Sequence, residues 1–69
     1  MSCEEKAQLR QVYRAAVFKF AEAFRQLQGS IGTATTAEFA RLQRISDEAR
    51  VESEKARLAL EQHIAAHGC

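Results

Sequence analysis

The chain has no proline, only three glycines in 69 residues, almost no net charge and no long apolar run. Each absence removes a class. Without proline, nothing interrupts a long helix from within. No apolar stretch approaches the roughly 20 residues needed to span a bilayer, so no transmembrane helix is expected. Ten basic residues stand against nine acidic ones, a net charge of +1. That balance argues against a nucleic-acid binder or a basic membrane-surface element, either of which would show a basic excess or stripe. The amino-terminal stretch MSCEEKAQLR carries acidic residues and no apolar h-region, so it does not read as a secretory signal. The default compartment is therefore the cytosol, with an exported mature form as the alternative. In the cytosol two cysteines are more often reduced thiols or metal ligands than a structural disulfide.

What remains is a set of strong helix formers, with Ala, Leu, Glu, Gln, Lys and Arg dominating. The expected class is all-α. Ser2 with Glu5 three residues on fits a capping box, and the helical pattern then runs unbroken to about Gln28. Gly29 is placed as a C′ residue in the left-handed conformation. The stretch GSIGTATT is the one loop-like segment. Thr35 with Glu38 is a second capping box, and Gly68 follows the second helix. The expected organisation is a single domain over 1–69, with a helix over 3–28, a loop over 29–35 and a helix over 36–67.

Leu9, Tyr13, Ala16, Phe20, Ala23 and Leu27 alternate by four and three along the first helix, with Val17 and Phe24 widening the face. Phe39, Leu42, Ser46, Ala49, Ser53, Ala56, Leu60, His63 and His67 do the same along the second. A three–four alternation is an a/d seam, so the helices pack side by side with a slight left-handed twist. The middle of the first seam is bulky and the middle of the second is small, which lets two helices approach closely. The short loop makes the pair an antiparallel, coiled-coil-like two-helix hairpin.

A hairpin buries one layer only, and a chain of this length often needs a staple, a metal or a partner. Phe18 lies nearly opposite the main stripe of the first helix. Val51, Leu58 and Ala65 repeat every seven residues on the far side of the second. A spaced apolar line on so small a protein suggests a second contact surface. These four residues are the expected interface, either of a homodimer forming a four-helix bundle or with a protein partner. No nucleic-acid or membrane partner is expected. The charge-dense stretch QRISDEARVESEKAR pairs Arg44 with Glu48, Arg50 with Glu54, Glu54 with Arg57 and Arg57 with Glu61 at helical spacings, as a solvated face does.

An antiparallel hairpin brings the start of one helix beside the end of the other. Cys3, His63, His67 and Cys69 should therefore gather at the open end. Three readings follow. Cys3 and Cys69 can form a disulfide that ties the end, a cross-link worth about 4 kcal/mol in the chain-entropy model. Alternatively, Cys3, His63, His67 and Cys69 can hold zinc, since Cys₂His₂ is a common structural set, although the close cysteine pair of a zinc knuckle is missing. With all four positions filled, that zinc would be structural. Or the groups have no joint role, histidines near a helix C-terminus being favourable through the helix dipole alone.

Catalytic chemistry has little support. GSIG lacks the lysine and the preceding strand of a phosphate loop. The carboxylates are scattered. A histidine could activate Cys3 as a nucleophile, but two helices offer no pocket to exclude water. The expectation is a non-enzymatic, self-associating interaction hairpin with no catalytic residue. The alternative is a metal- or redox-responsive element built on the open-end cluster.

The segments YRAAVFKFAEAFRQLQG and EARVESEKARLALEQHIAAHGC give the chain a resemblance to a set of short bacterial helical-hairpin proteins. Their pattern has an N-terminal Cys-Glu, a helix with Tyr and spaced alanines, and a His-x-x-x-His-Gly-Cys ending. The matching residues here are Cys3, Glu4, Tyr13, His63, His67, Gly68 and Cys69, and the resemblance covers most of the chain. It implies a helical hairpin and carries over no activity and no functional residue.

Overall fold

Two long helices account for nearly the whole chain. The computed structural model describes residues 3–68. Helix α1 spans Glu4–Gly29 and helix α2 spans Thr36–His67. They lie against each other as an antiparallel hairpin, a rod with extents of 52 × 13 × 10 Å. Among the described residues there is no strand.

The ends of the helices follow local chemistry, with two differences from expectation. The N-cap of α1 is Cys3, which gives no side-chain cap bond. Its carbonyl accepts from the amide of Ala7 at 3.1 Å, and Glu4 and Glu5 set negative charge against the helix start. The expected cap, Ser2, lies outside the described residues. At the other end α1 includes Gly29 and closes on Ser30, which stays right-handed at φ −89°. The Ser30 hydroxyl donates to the Leu27 carbonyl at 2.7 Å. The left-handed turn residue is therefore not Gly29 but Gly32, at φ +85°. A hydroxyl bonding back to the helix satisfied the last turn of α1, so the reversal could wait three residues.

Helix α2 starts as its sequence predicts. Thr35 is extended, and its hydroxyl accepts from the Glu38 amide at 3.1 Å, one of the two bonds of the capping box. It ends on Gly68 in the left-handed region, whose amide donates to the Ile64 carbonyl at 2.9 Å.

The core is small in two senses. Among the described residues those buried are Ala23, Ser46, Ala49, Ser53 and Ala56, and no large side chain is fully buried. The seam residues Leu9, Tyr13, Ala16, Phe20 and Leu27 of α1 and Phe39, Leu42, Leu60 and His63 of α2 are half-buried. Buried and half-buried positions thus keep the three–four alternation along both helices. The small middle of α2 is buried because larger groups of α1 roof it, and those groups keep one side in water. The Ser53 hydroxyl meets its burial cost locally, donating to the Arg50 carbonyl at 2.8 Å.

Val17 and Phe24 do not join the core. They remain 41% and 44% exposed, Phe24 leaning on Phe20 with ring centroids 6.1 Å apart. One helix can cover only a narrow stripe of another, and these two sit just beyond its edge.

Candidate functional site

The open end of the hairpin holds the chemistry-bearing residues. His63 is a seam residue, and its side chain is only 8% exposed. Its ring lies against that of His67 one turn on, with centroids 4.6 Å apart and planes tilted by 39°. Across the seam its Nδ1 lies 4.0 Å from Oε1 of Glu5, too long for a hydrogen bond. Its Nε2 is buried and has no hydrogen-bond partner among the described residues. Burying a polar nitrogen unpaired costs about 1–3 kcal/mol. The open end therefore carries an unfavourable polar group where the seam elsewhere is apolar or satisfied.

Of the four residues expected to gather here, the structure sets His63 beside His67. Among the described residues no three His, Cys, Asp or Glu side chains converge as a metal site would require. Cys3 is exposed at the start of α1, and no described residue is a free thiol. Cys69 lies outside the described residues, and with it both the disulfide pairing and the complete four-ligand set. Periodicity alone missed Glu5 as the α1 carboxylate that approaches His63. The signal for it is register: pairing the helices outward from the loop brings the first turn of α1 level with residue 63.

The expected interface residues are all exposed, Phe18 most of all at 72%, with Val51, Leu58 and Ala65 on α2. Each helix turns its seam to the other, so residues opposite the two seams point in opposite directions. Phe18 therefore projects from one side of the rod, and the Val51, Leu58 and Ala65 line projects from the other. A flat partner covers one of these faces or the other. Phe18 borders a groove along the outside of α1 with Gln8, Gln11, Val12, Arg14 and Ala15.

Charge is paired chiefly at one place. The Arg57 guanidinium bridges Glu54 at 2.8 Å and Glu61 at 2.7 Å. Hydrogen bonding from Arg57, then its charge, holds the Glu54 carboxyl below the usual carboxylate range, and the two carboxylates raise Arg57 in turn. Arg25 meets Glu22 at 3.4 Å. The expected pairs Arg44–Glu48 and Arg50–Glu54 do not form within 4 Å, although Arg50 still acts on Glu54 at longer range. Arg57 sits between two carboxylates and takes the one that Arg50 would have had.

No helix of the described residues is long and apolar enough to cross a membrane. No protein-family model, curated protein or solved structure matches the chain.

Proposed function

We propose that the protein is a small non-enzymatic interaction module, a cytosolic α-hairpin whose working form is a homodimer with its four helices in one bundle. The observation that supports this is the mismatch between core and surface. Among the described residues the buried core is three alanines and two serines, while nine large apolar side chains stand well exposed. The chain exposes 5228 Å², against about 4,300 Å² for a compact monomer of this size. The excess, roughly 900 Å², is close to the ~800 Å² that each partner buries in a standard interface. The radius of gyration of 15.7 Å exceeds the ~11 Å of a compact domain in the same sense. Sedimentation equilibrium over a hundredfold range of concentration tests the reading. A dimer mass that dissociates on dilution is expected, and a monomer mass throughout overturns it.

A second reading has one observation of its own, the unpartnered Nε2 of His63 beside His67. On this reading the open end responds to metal or thiol state, through a Cys3–Cys69 disulfide or through zinc on Cys3, His63, His67 and Cys69. Thermal unfolding with and without zinc and reductant, of the natural chain and of Cys3→Ser with Cys69→Ser, decides it. Equal stability in every condition removes the open end from function.

A further inference from the structure

We infer that the open end holds one divalent transition-metal ion, zinc or a neighbour of similar chemistry, on the imidazoles of His63 and His67, with Glu5 as the carboxylate that orients His63. This rests on the second reading above and moves the ligation from sulfur to nitrogen, so that neither cysteine is needed.

The two nitrogens of a metal-bound imidazole have different jobs. One ligates the ion, and the other donates its proton to a carboxylate or carbonyl that fixes the ring and its tautomer. His63 has this division laid out. Its Nδ1 lies 4.0 Å from Oε1 of Glu5, about an ångström beyond a hydrogen bond. The Glu5 side chain is 70% exposed and pairs with no other cation among the described residues, so a small movement closes that gap. The Nε2 of His63 is buried without a partner among the described residues, and burying it unpaired is unfavourable.

The neighbour of His63 is a second possible ligand. His67 stands one turn on, on the same helix face, with ring centroids 4.6 Å apart. Two imidazoles on one ion, with nitrogens about 2.0–2.1 Å from it and about 90–110° apart, have centroids about 4.5–5.2 Å apart. The pair already stands at the separation of a chelate. His67 is exposed and is the last residue of α2, so its ring can turn a nitrogen toward Nε2 of His63 without moving the backbone. A cation there also suits the negative end of the α2 dipole, while Glu4 and Glu5 offset the positive end of α1.

The donor set defines the ion and the kind of site. Imidazole suits zinc, nickel and copper, whereas magnesium and calcium take oxygen ligands. A metal takes a thiolate, and Cys3 is not a free thiol. No three His, Cys, Asp or Glu side chains converge among the described residues, so a closed four-ligand structural site does not fit. Two imidazoles make an open site, whose other positions go to water or to a ligand from a second molecule.

Calorimetric titration of the full chain with zinc tests this, with circular dichroism confirming that each variant keeps its helices. One zinc per hairpin is expected, and no response to magnesium. His67→Ala and His63→Leu should each weaken zinc binding at least tenfold. Glu5→Gln should weaken it about tenfold, the usual effect of losing an orienting carboxylate. Ring nitrogen NMR should show zinc-bound His63 ligated through Nε2 and protonated at Nδ1, and ligation through Nδ1 overturns the role given to Glu5. Cys3→Ser with Cys69→Ser should keep zinc affinity within about threefold. If that double variant loses zinc while His67→Ala keeps it, the sulfurs are the ligands, and this inference falls while the second reading stands. Binding of magnesium as tight as zinc also overturns it. A natural chain that takes no zinc at about millimolar concentration overturns both this site and the zinc half of the second reading. The disulfide half is then read separately, from the effect of reductant on stability.

Discussion

The middle of the hairpin and its open end solve the same packing problem differently. In the middle, Ser46, Ala49, Ser53 and Ala56 are buried because they are small and the facing side chains of α1 are large. The Ser53 hydroxyl finds its partner a single turn back, at the Arg50 carbonyl. At the open end the seam position is His63, whose ring enters the interface with Nε2 unpaired and Nδ1 just out of reach of Glu5. Size complementarity is sufficient by itself, since it needs only volumes to match. A polar ring in the seam is not, because it needs a partner in the right place. Packing energy is thus concentrated in the middle of the rod, and the open end is where it frays or where something else must hold it.

The contrast can be broken at its strong end. Ala49→Leu should force the helices apart at one of the most buried points of the seam, costing about 1–3 kcal/mol. Urea unfolding at a fixed protein concentration reads it, and a shift under half a kilocalorie would mean that the middle is loosely packed. At the weak end the sign reverses. His63→Leu replaces an unpaired buried nitrogen with an apolar group and should stabilise the hairpin by about 1 kcal/mol. That corresponds to a rise in melting temperature of roughly 4–8 °C for a chain this small. A fall would show that the imidazole has a ligand or partner at the open end.

Two smaller effects sharpen the comparison by lying outside the seam. Thr35→Ala removes the hydroxyl that accepts from Glu38 and should cost about 1 kcal/mol, wherever the seam is strongest. The smallest effect belongs to the exposed Arg57 cluster. Because the Glu54 carboxyl is held below its unfolded value, its contribution to stability is present above that value. It is lost as the pH falls through the lower, folded one. Acid titration of melting temperature for the natural chain and Glu54→Gln should show a difference that closes in acid and shrinks in 1 M salt. A difference that survives both would mean that the pair is doing more than exposed ion pairs do.

Much of this was legible from residues alone. The hinge at GSIGTATT, the Thr35 cap, the Gly68 stop and the seam through Phe39, Ala49 and Ala56 all follow from local preference and a three–four count. The open-end cluster was legible only as a neighbourhood. Topology predicts that His63 and His67 meet the first turn of α1, but not that Glu5 is the carboxylate that approaches His63. Local hydrogen bonding corrected the end of α1, where Ser30 satisfied the last turn and moved the left-handed residue to Gly32.

What the sequence determined by itself was where the helices begin, where they stop and which stripe of each is apolar, because capping and periodicity act within a turn or two of chain. Only the tertiary structure decided how much of each stripe is covered. Two cylinders meet along a line, so residues one step off that line, Val17 and Phe24 among them, stay in water however apolar they are. It also decided that Phe18 and the Val51, Leu58 and Ala65 line face opposite ways, and that one imidazole nitrogen is sealed in without a partner. Those outcomes depend on the distance and register between two helices, which no residue specifies alone.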